Sequence, residues 1–90
     1  MSKRRSRMDI VFDMLDSIQK KNNRIKPTHL MYKSNLSHKL MNRYLDDLVE
    51  NEMVEEIEDK GNKYLILKDK GYEFINQFKK MKEFADSFGL

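Results

Sequence analysis

The chain has 90 residues, two histidines, no cysteine and a formal net charge of +3. A chain of this length forms one small domain that buries only about 60–65 % of the surface exposed when it is unfolded, so we expect a partner chain to add stability. The absence of cysteine excludes disulfides and thiolate metal sites, and two histidines are too few for an ordinary histidine metal site. No run approaches the roughly 18 apolar residues of a membrane span. We therefore expect an intracellular, cytoplasmic protein with no metal, no cofactor and no small-molecule ligand.

Charge is distributed unevenly along the chain. Residues 1–43 hold 11 Lys/Arg and 3 Asp/Glu, residues 44–59 hold 8 acids and no Lys or Arg, and residues 60–90 hold 7 bases and 4 acids. This asymmetry indicates a dipolar surface whose positive side can meet a polyanion. The alternative is a heavily charged, solvated surface of the kind found in heat-tolerant proteins.

The chain begins with a basic segment followed by a helix. Residues 1–7 are predicted to form a basic N-terminal arm, which is either a mobile, solubilising terminus or a source of extra phosphate contacts. Ser6 and Asp9 form an S-x-x-D helix-start signal, and an apolar stripe at helical spacing then continues to Lys20 or Lys21. The stripe consists of Met8, Val11, Phe12, Leu15 and Ile18.

Two further helices are predicted, separated by a tight turn. Arg24 and Ile25 favour a very short strand, and Pro27 fits the first position of a second helix that ends near Asn35. Ser37 can cap the third helix, because its hydroxyl can accept a hydrogen bond from a free backbone amide. The apolar stripe of the third helix consists of Leu40, Tyr44, Leu45 and Leu48.

A hairpin and a long helix complete the predicted elements. Met53, Val54 and Ile57 mark one strand, residues 60–63 (KGNK) a turn, and residues 64–67 the return strand. The last helix runs from about Asp69 to Phe88 and carries an a/d heptad seam of about two and a half heptads. The seam consists of Gly71, Phe74, Phe78, Met81, Ala85 and Phe88, widened by Tyr72, Ile75 and Phe84. The seam favours pairing with the same helix of a second chain; a helix folded back on its own domain is the alternative.

This order of elements resembles a winged helix-turn-helix domain. The segment MYKSNLS at residues 31–37, and the return strand YLIL leading to Lys70-Gly71, are similar to small winged-helix DNA-binding proteins of archaea and their viruses. The resemblance covers residues 8–88. It departs at Asn51-Glu52, where a glycine is usual after the third helix, and at Lys68, where a threonine cap is usual before the last helix.

The resemblance implies an α+β, mainly α, winged helix-turn-helix fold whose long C-terminal helix forms an antiparallel coiled-coil homodimer. Its parts would be the basic arm over residues 1–7, a winged-helix DNA-binding domain over residues 8–68 and a dimerisation helix over residues 69–90. The implied dimerisation residues are Phe74, Phe78, Met81, Ala85 and Phe88.

The resemblance also implies that the helix beginning at Ser37 enters the major groove of double-stranded DNA. The implied DNA-binding residues are Ser37, His38, Lys39, Asn42 and Arg43 on this helix, Tyr32 and Lys33 before it, and Lys60, Asn62 and Lys63 on the wing. Alternatively, Tyr32 is a core residue, His38 is merely exposed, and the wing residues only make a turn soluble. We expect the acid-rich residues 46–59 to face away from DNA, because like charges repel.

These observations favour a DNA-binding homodimer, specific or semi-specific, that regulates transcription. A non-specific chromatin-type DNA-binding protein and a protein-interaction module with the same fold are the alternatives. An enzyme is the least supported class, since the sequence has no Gly-rich phosphate loop, no Ser/His/Asp set and no metal-ligand spacing.

Overall fold

The computed structural model describes residues 5–90. Over this range the chain forms α1 (Arg7–Lys20), α2 (Pro27–Ser34), α3 (His38–Glu50), β1 (Val54–Asp59), β2 (Asn62–Leu67) and α4 (Asp69–Ser87). The prediction of a mainly helical chain with one hairpin is confirmed. None of the helices within these residues has the length and apolarity needed to cross a bilayer.

Helix α1 begins at a capping box. The Ser6 hydroxyl accepts a hydrogen bond from the Asp9 amide at 3.1 Å, and the Asp9 carboxylate accepts one from the Ser6 amide at 3.0 Å. Two amides at the helix start are thereby satisfied, which is why the S-x-x-D signal located this helix correctly.

Residues 5–7 belong to the folded domain. The Arg5 guanidinium donates to the Asp13 carboxylate at 3.0 Å, and Arg7 lies 3.2 Å from the carboxylate of Asp47 on α3. These contacts remove residues 5–7 from the predicted arm. The remaining basic residues of that arm, Lys3 and Arg4, lie outside the described residues.

The core is contributed by all four helices and the hairpin, but not always by the residues predicted. On α3 the buried set is Met41, Leu45 and Leu48, whereas Leu40 and Tyr44 are only partly buried. The predicted stripe omitted Met41 and included Leu40 and Tyr44, which pack at the edge of the core. On α1 the buried set is Ile10, Met14, Leu15 and Ile18, and the predicted Met8 is half exposed.

The hairpin is closed by a two-residue turn. Its strands pair antiparallel from Val54 opposite Leu67 to Asp59 opposite Asn62. Lys60 and Gly61 between them have φ of 53° and 81°. Positive φ at both central positions is the geometry of a type I′ turn, whose twist matches that of the strands. The turn prediction is therefore confirmed, although its last two residues belong to β2.

The hairpin is fastened to the segment between α1 and α2. Ile25 and Leu65 exchange backbone hydrogen bonds of 3.1 and 2.8 Å, so the predicted short strand is a single β-bridge. The Asn23 side chain accepts a further bond from the Leu67 amide at 2.8 Å. A hairpin alone is marginally stable in water, and these bonds hold it against the helices.

Helix α4 packs on the domain through its first half. Gly71 is buried so close to the Met53 carbonyl oxygen that a Cβ would lie 2.5 Å from that atom. Ile75 is also buried, and the Phe78 ring stacks on that of Phe12 with centroids 4.5 Å apart. The second half of the helix continues past the core, which leaves its large apolar side chains exposed.

Candidate nucleic-acid interface

The turn between α2 and α3 fixes where α3 begins. Asn35 adopts a left-handed conformation (φ 54°, ψ 53°), which ends α2. The hydroxyl of Ser37 then accepts a hydrogen bond from the Leu40 amide at 3.2 Å and caps α3. An asparagine tolerates the left-handed conformation better than most residues, so a tight turn is possible without glycine. The predicted helix-turn-helix geometry is confirmed.

The same turn is held by Arg5. Its two terminal nitrogens donate to the carbonyl oxygens of Ser34 at 2.6 Å and Asn35 at 2.8 Å, while one of them also binds Asp13. These carbonyls lie at the C-terminus of α2, where carbonyl groups have no partner within the helix and attract a cation. Arg5 therefore joins α1 to the residues directly before α3.

One side of α3 faces solvent. The buried residues Met41, Leu45 and Leu48 define the inner side, and at about 100° per residue the opposite side is centred near Lys39 and Arg43. Asn42 and His38 lie beside them, with Asn42 Nδ2 3.3 Å from His38 Nδ1. All five predicted contact residues of this helix are exposed, namely Ser37, His38, Lys39, Asn42 and Arg43.

The end of α2 adds two exposed side chains. Tyr32 is 78 % exposed, so the alternative that it packs in the core is wrong. Lys33 beside it is exposed as well. Lys33 lines a groove with Asp13 and Asp16 of α1, and Tyr32 projects into solvent just before the turn that leads to α3.

The wing presents the predicted polar tip. Lys60, Asn62 and Lys63 are all exposed. Lys63 Nζ lies 3.6 Å from the Glu56 carboxylate on the paired strand, which partly offsets its charge. Lys60 has no ion-pair partner among residues 5–90 and sits at the point of the turn. The wing therefore offers one unpaired cation and one exposed amide.

The class of this domain follows from its similarity to a known protein family. The sequence matches the family model for the winged helix-turn-helix over residues 4–86, nearly the whole chain. The chain belongs to the winged helix-turn-helix family. This fold is typical of non-enzymatic regulators. A comparison with curated proteins finds no match.

Solved winged helix-turn-helix structures share the architecture. Sso10a-2, a DNA-binding protein from Sulfolobus solfataricus, is similar with a TM-score of 0.80 and 19 % identity, over 93 % of this chain and 85 % of that one. F93 from STIV, a winged-helix DNA-binding protein, is similar with a TM-score of 0.75 and 16 % identity, over 89 % and 92 %. The oxidised form of MarR from E. coli is similar with a TM-score of 0.69 and 25 % identity, over 77 % of this chain and 50 % of MarR. The resemblance to archaeal and viral winged-helix proteins is thereby confirmed at the level of fold.

The winged helix-turn-helix surface includes two cations that sequence reasoning missed. Arg24 and Lys26 flank the bridging Ile25, and their charged groups lie 4.0 and 5.9 Å from the centroid of the Tyr64 ring at the base of the wing. Arg24 also bonds the Asp59 carboxylate at 2.6 Å, and this hydrogen bond raises the pKa of Arg24 above its ordinary value. The sequence pattern around Ile25 could have indicated this arrangement. Successive strand residues point to opposite sides, so Arg24 and Lys26 share the side opposite to the buried Ile25.

The carboxylates of the acid-rich residues 46–59 do not share one environment. Four of them lie beside bases from elsewhere in the chain, at 2.6–3.6 Å. The pairs are Asp47–Arg7, Glu52–Lys68, Glu56–Lys63 and Asp59–Arg24. Asp46, by contrast, is exposed on the same side of α3 as Lys39. Asp46 therefore shares a side of α3 with the predicted contact residue Lys39, and the expectation that residues 46–59 face away from DNA stays a prediction.

The predicted seam on α4 is divided by the fold. Phe78 is only 6 % exposed, because its ring stacks on Phe12 within the same chain. Phe84 and Phe88 are 68 % and 67 % exposed, and their rings contact each other edge-on at 5.1 Å. Met81 is half exposed and Phe74 partly buried. The solvent-facing stripe therefore follows Phe74, Gln77, Met81, Phe84 and Phe88, at intervals of 3, 4, 3 and 4.

Proposed function

We propose that this protein binds double-stranded DNA as a homodimer and regulates transcription, with α3 in the major groove. One observation carries the proposal: the outward side of the first two turns of α3 is made of exposed donors and cations. Lys39 and Arg43 form no ion pair among residues 5–90, so their charges are available to phosphates or bases. No catalytic role, metal or cofactor is part of this function.

The side chains on α3 suit the chemistry of the groove. The N-terminal residues of a recognition helix lie deepest in the major groove. There Arg43 or Lys39 can bind the O6 and N7 atoms of guanine, and Asn42 can pair with adenine N6 and N7. The 3.3 Å contact with His38 restrains the Asn42 amide, which favours a defined orientation toward a base.

Contacts outside α3 would position the protein on the duplex. Tyr32 and Lys33 at the end of α2, and Lys60, Asn62 and Lys63 on the wing, are exposed groups of the kinds that bind phosphate and sugar. Lys26 at the base of the wing adds a further cation, and Arg24 adds one whose charge the Asp59 carboxylate partly offsets. Phosphate contacts fix register but do not read sequence, so we assign discrimination to α3.

The exposed stripe on α4 supports the homodimer. Four large apolar residues near the C-terminus, Met81, Phe84, Phe88 and Leu90, are each at least half exposed. Apolar residues repeating every three and four positions pair helices side by side, and a second copy supplies a matching stripe. Such pairing would bury apolar surface that this small domain leaves in water.

A salt series with matched double variants tests the DNA contact. We expect the wild type to bind duplex DNA with a steep dependence on salt, since neutralised phosphates release counterions. Lys39→Ala/Arg43→Ala should weaken binding and reduce the slope of log K against log salt by about 1–2. Lys79→Ala/Lys80→Ala removes the same charge from the exposed side of α4 and should leave both quantities nearly unchanged.

Two outcomes of that series would contradict the proposal. Absence of binding to any duplex at low salt would leave a protein-interaction module as the explanation of the same fold. Equal losses in the α3 and α4 variants would show that overall charge, rather than the outward side of α3, attracts DNA.

A further inference from the structure

Asp46 lies on the same side of α3 as the residues assigned to base contact, one helical turn beyond Asn42 and Arg43 toward the C-terminus. At about 100° per residue, its direction from the axis of α3 falls about 20° from that of Lys39 and about 40° from that of Asn42. It is exposed, like both of those residues. The side of α3 that carries hydrogen-bond donors and cations therefore also carries one carboxylate.

The carboxylate of Asp46 is not neutralised by its surroundings. The adjacent Asp47 points to a different side of α3, where the Arg7 guanidinium lies 3.2 Å away. Asp46 forms no ion pair and no side-chain hydrogen bond within residues 5–90, although Arg43 is only one turn earlier in the helix. Its charge and its two acceptor oxygens are therefore available to a bound duplex.

We propose that Asp46 determines specificity by accepting a hydrogen bond from the amino group of a cytosine in the major groove. This inference rests on the proposed function. An ionised carboxylate is an acceptor only. Cytosine presents an amino donor at its major-groove edge, whereas guanine and thymine present carbonyl acceptors there. A guanine or thymine at that position would oppose one acceptor with another, so the complex would lose affinity.

The position of Asp46 along α3 separates its base from that of Asn42. One helical turn, or about 6 Å along the axis, lies between the two residues. Successive base pairs are about 3.4 Å apart, so the two side chains reach different base pairs. Asn42 would read adenine at one of them and Asp46 cytosine at the other.

The same carboxylate weakens binding to every other sequence. Non-specific binding comes almost entirely from attraction between cations and phosphates. A free anion among the contact residues repels those phosphates, and only a cytosine in the right register compensates. A protein can gain specificity by making contacts that weaken its binding to the wrong ligand. Asp46 therefore favours a selective regulator over a chromatin-type packaging protein.

Selection from randomised duplexes, followed by affinity measurements on the full chain, tests this role. We expect wild-type protein to enrich a sequence with an invariant cytosine, and to bind it much more tightly than a scrambled duplex at the same salt. Asp46→Asn should narrow that ratio by about tenfold, since a wrong base contact typically costs between a few-fold and about a hundredfold. Because asparagine reads adenine, renewed selection with this variant should replace the cytosine by adenine.

Glu83→Gln on α4 is the matched control, because it makes the same change in charge at an exposed position away from α3. It should strengthen binding to both duplexes by a similar factor and keep the cytosine. An unchanged ratio and unchanged consensus with Asp46→Asn would overturn the inference. So would a wild type that binds DNA but enriches no sequence, an outcome that leaves the proposed DNA binding itself intact. Absence of any DNA binding would instead defeat the proposed function first.

Discussion

Arg5 donates a hydrogen bond to the carbonyl oxygen of Asn35 at 2.8 Å, although 30 positions of sequence separate the two residues. Asn35 is the left-handed residue that ends α2, and α3 begins three residues later. The segment just before α1 therefore helps to fix the turn that aims α3. A guanidinium suits this role because its planar fork can bond two carbonyls and a carboxylate at once.

We predict that Arg5 supports DNA binding without touching DNA. Arg5→Ala should lower the free energy of unfolding by about 1.5–3 kcal/mol, the range for hydrogen bonds to a charged group. Measured well below its melting temperature, the folded variant should bind DNA several-fold more weakly, since α3 is less firmly positioned. The slope of log K against log salt should stay that of the wild type.

Arg5→Lys is the matched variant, since it keeps the charge and loses the fork. If positioning is the role, the lysine variant should also bind more weakly. Full affinity with lysine, together with a salt slope reduced by about one in the alanine variant, would instead identify Arg5 as a phosphate contact.

We predict that Gly71→Ala destabilises the fold. Alanine normally stabilises a helix relative to glycine by about 1 kcal/mol. Here the added Cβ would lie 2.5 Å from the Met53 carbonyl oxygen and 3.0 Å from Leu67 Cδ2, and neither the backbone nor the packed leucine can move freely. The expected net loss is about 1–3 kcal/mol, the usual cost of overpacking, measured by urea unfolding. Lys70→Ala at the exposed neighbouring position should change stability little, and a stabilised Gly71→Ala variant would contradict the observed contact.

We predict different roles for two pairs of phenylalanines on or near α4. Phe84→Ser/Phe88→Ser should convert the dimer to a monomer in light scattering, since both rings are exposed and belong to the stripe offered to a second copy. The variant should lose only the stability that dimerisation adds, since both positions are exposed in the single chain. Phe78→Ala should instead cost about 3–5 kcal/mol, the typical penalty for a buried phenylalanine.

Substitution separates these roles better than truncation, because removing α4 would also remove the buried Ile75 and Phe78. An unchanged mass for the Phe84→Ser/Phe88→Ser variant would exclude the stripe as the dimer contact. A Phe78→Ala variant as stable as the wild type would show that its stacking on Phe12 contributes little.

The elements that sequence predicted well are those set by local chemistry. Ser6 and Ser37 cap helices with hydroxyls that reach amides three residues on, and Pro27 starts α2 because a missing amide proton costs nothing there. Gly61 supplies one of the two positive φ angles that the hairpin turn needs, and Lys60, a residue that does not favour this conformation, adopts the other. Each of these signals is complete within four or five residues, so a single sequence suffices to read it.

The parts that escaped prediction depend on contacts between distant residues. Heptad spacing shows that Phe78 and Met81 share a side of α4, but not that Phe12 already covers one of them. The Arg5 bonds join segments whose proximity only the folded chain reveals. An acidic run also does not define one surface, since a helix turns each successive side chain by about 100°, which places Asp46 and Asp47 on different sides of α3.

The stacking of Phe12 on Phe78 has a consequence beyond stability. Together with the packing of Gly71 and Ile75, it sets the direction in which α4 leaves the domain. In the proposed dimer that direction determines the distance between the two recognition helices. Dimers of this kind meet half-sites one helical turn of duplex apart, about 34–36 Å, or multiples of it. The half-site spacing of a palindromic operator would thus depend on the contact between two aromatic rings that lie away from the DNA.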